Sequence, residues 1–142
     1  MAPVLGCIAD DFTGATDLAN MLVRGGLRTI QLLGVPKSDS HIPDVDAIVI
    51  ALKSRTIEPE IAISQSLQSL EWLQKFGTQQ FFFKYCSTFD STDEGNIGPV
   101  TEALMKALDV DFTIACPAFP ETGTVSYTHL RAHETRGNLV CR

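Results

Sequence analysis

The stretch VLGCIADDFTGATD, residues 4–17, joins a strand pattern to a helix pattern and raises the first chemical question. Residues 4–9 are apolar and predict a buried strand, and residues 14–25 have the apolar spacing of a helix. Between them stand two adjacent carboxylates, Asp10 and Asp11. Neighbouring like charges disfavour each other's ionised form and need compensation. We therefore expect this acidic pair to cap a helix or to bind something where a strand ends.

The rest of the chain continues with alternating strand and helix patterns. Residues 47–52 are continuously apolar, which predicts a strand covered on both faces. Trp72 and the run FFF at 81–83 are predicted to pack in the core. The order predicts the α/β class, a three-layer fold with a largely parallel sheet and flanking helices. The further predicted strands are 28–34, 47–52, 79–85 and 112–117, and the further helices are 58–76 and 97–108.

Composition limits the class of protein. Of the 142 residues, 44% are hydrophobic and 20% are charged, as expected for one soluble globular domain with a real core. The net charge of −6, without a basic patch interleaved with aromatic residues, argues against nucleic-acid binding. No apolar run approaches the roughly 20 residues of a membrane helix. The N-terminus lacks a secretory pattern, so we expect a cytoplasmic protein that does not bind membranes.

The four cysteines form no CxxC pair, which disfavours a zinc site, and no other metal ligands are predicted. In the cytoplasm these thiols would stay reduced. Cys7 and Cys116 lie in apolar runs and are predicted to be small buried hydrophobes.

Residues 125–142, VSYTHLRAHETRGNLVCR, differ from the rest of the chain. They carry a net positive charge, whereas the rest of the chain has a net negative charge. Their sparse apolar residues fit neither strand nor helix spacing. They resemble translated vector read-through, so we treat them as non-native and exclude His129 and His133 from catalysis and metal binding. The alternative, a genuine tail that docks as a strand, stays open.

Polar residues cluster directly after the predicted strands. The first strand is followed by the acidic pair, the third by KSR at 53–55, the fourth by CSTFDST at 86–92 and the fifth by PAFPETG at 117–123. The carboxyl ends of parallel strands meet at one edge of the sheet, where open α/β sheets bind ligands. We therefore expect a single site at that edge.

The clusters combine cations, hydroxyls and acceptors, a set that suits a small polyhydroxy acid. Its carboxylate would pair with Arg or Lys and its hydroxyls would donate to Asp. Helix starts near Gly14 and Gly98 add backbone N–H groups that favour an anion. The adjacent carboxylates would then point differently, one holding ligand hydroxyls and the other bracing a neighbouring Lys or a helix start. The candidate substrate-binding residues are Asp10, Asp11, Thr13, Ser54, Arg55, Lys84, Ser87, Thr88, Asp90, Ser91 and Asn96.

Purely structural roles compete with these assignments. Asp is a favoured helix N-cap, so either member of the acidic pair could simply cap the following helix. Lys53 and Arg55 could lie on a solvated loop. The sequence GNIG at 95–98 could bind an anion through its backbone or form only a turn before a helix.

Other acidic α/β families fit less well. Haloacid-dehalogenase phosphatases need Asp-x-Asp after the first strand, and here Phe12 stands two residues after Asp10. Signalling receiver domains need a phospho-accepting Asp after the third strand, where this chain has LKSR at 52–55. Neither a Walker A motif nor GxGxxG is present, so no nucleotide site is predicted in this chain.

Four stretches resemble the four-carbon acid sugar kinases: IADDFTGATDLA at 8–19, ALKSRTI at 51–57, FKYCSTFDST at 83–92 with GNIGPV at 95–100, and CPAFPETG at 116–123. The form KYCSTFDST is most similar to the 3-oxo-tetronate kinase branch. The resemblance implies an N-terminal domain that binds the acid sugar and a C-terminal domain that binds ATP with magnesium. Residues 1–124 would be an incomplete substrate domain, with the ATP domain absent from this sequence.

The resemblance implies an ATP-dependent kinase that phosphorylates the terminal hydroxyl of a four-carbon sugar acid, giving 3-oxo-tetronate 4-phosphate. We expect this chain alone to be inactive, because phosphoryl transfer depends on groups that position and neutralise the phosphates. Two alternatives stay open: a sugar-acid-binding module without catalysis, and the substrate domain of a threonate or erythronate kinase. The catalytic base stays unassigned, and the oligomeric state stays open, with a homo-oligomer as one alternative.

Overall fold

The computed structural model describes residues 2–37, 42–85, 92 and 94–116. In this part of the chain, helices and strands alternate close to the predicted positions, which confirms the α/β class. The elements are β1 (Leu5–Ala9), α1 (Phe12–Arg24), β2 (Thr29–Leu33), β3 (Ala47–Ala51), α2 (Pro59–Lys75), β4 (Gln80–Lys84) and α3 (Ile97–Ala107).

The four described strands form one parallel sheet in the order β2-β3-β1-β4. Ala9, the last residue of β1, pairs with Ala51 at the end of β3 and with Lys84 at the end of β4. The carboxyl ends of these three neighbouring strands therefore lie level with one another. This register brings Asp10, the loop after β3 and Lys84 to one edge of the sheet, as predicted for these residues.

Side chains that alternate along the strands build a separate core on each face of the sheet. On one face, Ile8, Ile48 and Ile50 pack with apolar residues of α2 and α3. On the other face, Cys7 and Val49 pack against α1. All five residues of β3 are buried, which confirms a strand covered on both faces. The result is the predicted three-layer arrangement.

The helices begin and end where the chain supplies the expected signals. Gly25 is the C-cap of α1, and Gly26 follows it with φ of +92°, a conformation that glycine adopts without strain. Pro59 opens α2, where its missing N–H costs nothing. Of the helices in the described ranges, none is long and apolar enough to cross a membrane.

The predicted fifth strand is wrong for residues 112–116, which are described and form neither strand nor helix. Phe112 is 75% exposed and Ile114 is 78% exposed. An apolar run becomes a strand only when a neighbouring strand takes up its backbone hydrogen bonds, and no described strand does so here. The prediction that Cys116 is buried is wrong for the same reason, since it lies exposed on this segment.

The aromatic run of β4 is only partly in the core. Phe81 and Phe83 pack against the cluster shared with α2 and α3, whereas Phe82 is 45% exposed. Phe82 pairs in register with Cys7 and so points to the face that α1 covers. The prediction of a buried Phe82 is therefore wrong, because α1 packs mainly over the other three strands and β4 is the last described strand on that side. Trp72, 5% exposed, is in the core as predicted.

Candidate functional site

An ion pair between Asp10 and Arg55 joins the end of β1 to the loop after β3. Asp10 Oδ1 lies 2.8 Å from Arg55 Nη2, and Asp10 Oδ2 lies 3.1 Å from Arg55 Nε. The side chain of Asp10 is 5% exposed and that of Arg55 is 34% exposed. Two charge-assisted hydrogen bonds in this planar arrangement fix the orientation of both side chains. A solvated-loop role for Arg55 is therefore wrong.

The backbone of Asp10 reinforces this connection. Its carbonyl accepts hydrogen bonds from the N–H groups of Ser54 and Arg55, at 3.0 and 3.2 Å. Its own N–H donates to the Lys84 carbonyl at 3.0 Å. Asp10 thus ties the end of the central strand β1 to the segment that follows β3 and to the last residue of β4. Asp10, which the sequence predicts as a ligand-binding residue, therefore connects three strands.

Asp11 meets the same guanidinium and also caps α1. Asp11 Oδ1 accepts from Gly14 N at 2.9 Å, the hydrogen bond of a helix N-cap, and lies 2.9 Å from Arg55 Nη2. One cation therefore compensates two adjacent carboxylates. The role of Asp11 as a helix brace is confirmed. Only Asp11 caps the helix, whereas both carboxylates contact the same guanidinium, and a role for either in holding ligand hydroxyls stays a prediction.

Asn96, the residue before α3, also holds the loop between β3 and α2. Its Nδ2 donates to the carbonyls of Ser54 at 2.7 Å, Ile57 at 2.8 Å and Arg55 at 3.3 Å. The residue is 8% exposed. Its Oδ1 is buried and has no hydrogen-bond partner among the described residues. The side chain of Asn96 is thus directed at the Arg55 loop.

A cavity of about 30 Å³ separates these groups. Such a volume holds one or two water molecules, so the described walls of this cavity do not enclose a four-carbon acid. The cavity is lined by Asp10, Ser54, Arg55, Phe83, Gly95, Asn96, Ile97 and Val100. A larger ligand would have to bind at the exposed edge of the cluster.

Lys84, the last residue of β4, lies beside the start of α1. A side-chain carbon added to Gly14 would stand 2.6 Å from Asp11 Oδ1 and 3.6 Å from Lys84 Nζ, so a glycine here allows these groups to approach the helix. Lys84 Nζ donates to the Tyr85 carbonyl at 2.6 Å. Burial raises the pKa of the neighbouring Tyr85 phenol, so this residue adds no charge. The Lys84 ammonium and the Arg55 guanidinium are thus two cations close to the N-terminus of α1.

The other predicted site residues divide into three groups. Ser54 is 2% exposed and lines the cavity, whereas Thr13 is exposed on the first turn of α1. Lys53 is exposed, which fits its alternative role on a solvated loop. The predictions for Ser87, Thr88, Asp90 and Ser91 fall outside the described residues, as do those for residues 125–142.

The family resemblance implies ATP with magnesium, so clusters of metal-ligating side chains among the described residues are relevant. Nowhere in the described ranges do three His, Cys, Asp or Glu side chains come together as a metal cluster. Asp10 and Asp11 stand together, but both face the Arg55 guanidinium, which occupies the position that a cation would need.

Sequence patterns missed the part played by the apolar and backbone groups around the cavity. Phe83, Ile97 and Val100 form its apolar wall, and Gly95 lies beside it. The sequence predicts Phe83 only as a core residue, although its position one residue before the end of β4 also indicates that it lies near the site. The sequence predicts Asn96 as a substrate ligand, and the structure shows its amide group hydrogen-bonded to the loop that carries Arg55.

Comparisons of this chain with a family model and with curated proteins agree with one another. A family model described as "Sugar-binding N-terminal domain" matches residues 5–134. A 3-oxo-tetronate kinase of Burkholderia multivorans is 66% identical over 138 residues, which cover 97% of this chain and 31% of the relative. A 3-oxo-tetronate kinase of Pseudomonas savastanoi is 65% identical over 130 residues, covering 90% of this chain and 30% of the relative.

A solved structure supports the same assignment. The crystal structure of a Salmonella typhimurium LT2 protein, provisionally described as a tRNA synthase, matches with a TM-score of 0.83 and 55% identity, over 87% of this chain and 29% of that one. This chain spans about 30% of the length of the curated relatives it matches. It belongs to the family of the sugar-binding N-terminal domain and is similar, as its motifs indicated, to proteins named 3-oxo-tetronate kinase.

Proposed function

We propose that this chain is the substrate-binding part of an ATP-dependent kinase that converts 3-oxo-tetronate to 3-oxo-tetronate 4-phosphate. The observation that carries the proposal is the cluster of Arg55 and Lys84 with two carboxylates at the carboxyl edge of the sheet. The names of the curated relatives support the reaction. The partner of the chain is then a small sugar acid.

The charges of the cluster suggest how such an acid would be oriented. Arg55 is already paired with Asp10 and Asp11, so Lys84 and the start of α1 are the groups best suited to attract the ligand carboxylate. The Asp11 side chain is 27% exposed and its carboxylate has acceptor capacity for a ligand hydroxyl. Thr13, exposed on the same turn of α1, would add a hydroxyl to this edge.

In this proposal, ATP and magnesium are bound mainly by a C-terminal domain outside this sequence, and ATP supplies the phosphoryl group. The described residues would bind the acid and hold its terminal hydroxyl in position, and such positioning is one of the two main contributions to catalysis of phosphoryl transfer. The chain alone would bind the acid and leave it unphosphorylated. A cytoplasmic location remains a prediction.

Two alternatives have distinct consequences. A binding module without catalysis would bind a tetronate while the full-length protein lacked kinase activity. A threonate or erythronate kinase would prefer those acids to the 3-oxo compound. Binding of tRNA, which the provisional name of the Salmonella protein raises, is disfavoured by the net charge of −6.

The test is a kinase assay on the full-length product of the parent gene with 3-oxo-tetronate, threonate and erythronate as substrates. We expect phosphorylation of 3-oxo-tetronate with the highest kcat/KM of the three. No turnover of any four-carbon acid would reject a kinase, and preference for threonate or erythronate would reassign the substrate.

A further inference from the structure

Asn96 stands at the N-cap of α3 without performing the usual task of that position. Asn at an N-cap normally accepts a hydrogen bond from a backbone N–H of the first helical turn. Here its φ and ψ are −83° and −12°, and its side chain makes no capping hydrogen bond. The Asn96 amide group instead donates to the loop between β3 and α2.

The loop that carries Arg55 is thereby held through both its N–H groups and its C=O groups. Its N–H groups, from Ser54 and Arg55, donate to the Asp10 carbonyl. Its C=O groups, from Ser54, Arg55 and Ile57, accept from Asn96 Nδ2. The amide has two N–H groups for three carbonyls, and the 3.3 Å distance to Arg55 is the longest, so one N–H is shared.

Direct contact between Asn96 and a sugar acid is disfavoured by its surroundings. The residue is 8% exposed, and the cavity beside it has a volume of about 30 Å³. Its effect on a ligand at the edge of the cluster would therefore pass through the loop it holds. That loop carries Arg55, whose guanidinium bridges Asp10 and Asp11.

We propose that Asn96 is a positioning residue that sets the guanidinium of Arg55 by holding the backbone of its loop, and so controls affinity for the sugar acid. This inference rests on the proposed function for its effect on binding. Its structural part, the dependence of Arg55 on Asn96, stands independently of which substrate the protein uses.

The test variant is Asn96→Asp, which keeps the size of the side chain and its Oδ1 but removes both N–H donors. The matched control is Asn20→Asp, the same chemical change at an exposed position in α1. The first measurement is the Arg55 Nε–H signal in nitrogen-15 NMR spectra of the 142-residue chain. We expect this signal to shift and lose its protection from solvent exchange in Asn96→Asp and to stay unchanged in Asn20→Asp.

The second measurement is the steady-state kinetics of the full-length gene product. We expect Asn96→Asp to raise KM for the sugar acid about tenfold, as the loss of a few hydrogen bonds would, and to leave KM for ATP unchanged. Combined with Arg55→Lys, Asn96→Asp should raise KM much less than it does alone, because both variants disturb one unit.

Each contrary result has a definite meaning. An unchanged Arg55 signal overturns the proposal, and a raised KM together with that unchanged signal would indicate direct contact with the substrate instead. If Asn96→Asp and Asn20→Asp shift the Arg55 signal equally, the shift would come from the added charge, and the proposal would also be overturned. If Asn96→Asp does not fold, Asn96→Ser, which keeps one donor, should show a partial effect; loss of folding in both would make Asn96 a folding residue and reject the proposal. Absence of kinase activity with the expected NMR change would reject the proposed function and keep the structural part.

Discussion

Arg55 Nη2 lies 2.8 Å from Asp10 Oδ1, and Arg55 Nε lies 3.1 Å from Asp10 Oδ2, across 45 residues of sequence. The same Nη2 atom lies 2.9 Å from Asp11 Oδ1. A single guanidinium thus compensates the two adjacent carboxylates that end the first strand. This arrangement explains how the chain tolerates two like charges side by side, one of which is buried.

We predict that Arg55→Ala destabilises the fold. The change leaves the buried Asp10 carboxylate without its cation, and because about a third of the Arg55 side chain is exposed, we expect the free energy of unfolding to fall by about 2 kcal/mol. Urea denaturation of the 142-residue chain measures this. Lys53→Ala, which removes an exposed cation two positions earlier, should change it by less than about 0.5 kcal/mol. Equal losses in the two variants would contradict the ion-pair assignment.

A matched pair of glycine substitutions tests the start of α1. Gly14→Ala would place a carbon 2.6 Å from Asp11 Oδ1 and displace the N-cap, so we expect a loss of about 1 kcal/mol of stability. Gly98→Ala, in the first turn of α3, meets no atom within 4 Å, and we expect a gain of roughly 0.5 kcal/mol. Thermal unfolding monitored by circular dichroism compares the two. A stabilising Gly14→Ala would show that the Asp11 cap does not matter.

The opposite end of the sheet holds a pH-sensitive pair. Hydrogen bonds from the Arg28 side chain and backbone lower the pKa of Asp46 from 3.8 to about 2. Since the pKa in the folded state is the lower one, the stabilisation is present above about pH 4 and is lost as the pH falls toward 2. Carboxyl NMR titration should find the low value, and Arg28→Gln should restore an ordinary pKa. An Asp46 pKa near 4 in the unmodified chain would refute the pairing.

Two cysteines should differ in reactivity. Burial raises the pKa of the Cys7 thiol to about 12, whereas Cys116 is exposed. Because the thiolate is the reactive form, iodoacetamide at pH 8 should modify Cys116 and spare Cys7 in the folded chain. Peptide mass spectrometry measures both sites, and the urea-unfolded chain, in which both should react, is the control. Rapid labelling of folded Cys7 would mean that β1 is not buried as described.

We predict that Lys84→Met weakens binding of the sugar acid. The substitution keeps an unbranched side chain of similar length and removes its charge, so we expect the Kd of a tetronate to rise about tenfold. Calorimetry on the 142-residue chain measures the affinity. Lys75→Met is the control, because Lys75 pairs with Glu71 at the far end of α2 and should not affect Kd. An unchanged Kd in Lys84→Met would remove Lys84 from the site.

The secondary structure could be predicted because it depends on local patterns. The continuous apolar run of β3 and the glycines after α1 are visible in the sequence and correspond to a doubly covered strand and a helix end. In the segment 112–116, the local pattern alone does not predict the structure. Its apolar residues match a strand, yet strand formation needs a hydrogen-bonding neighbour, which composition does not supply.

The fold class and the edge of the sheet at which polar residues gather follow from the amino-acid sequence, because strand order and periodicity place the residues after parallel strands together. The pairing at that edge follows from the folded chain, in which Asp10 and Asp11 share one guanidinium and Asn96 holds the loop bearing it. These contacts join residues about 40 positions apart. Their partners are chosen by distance and direction in the folded chain, which no local pattern of residues records.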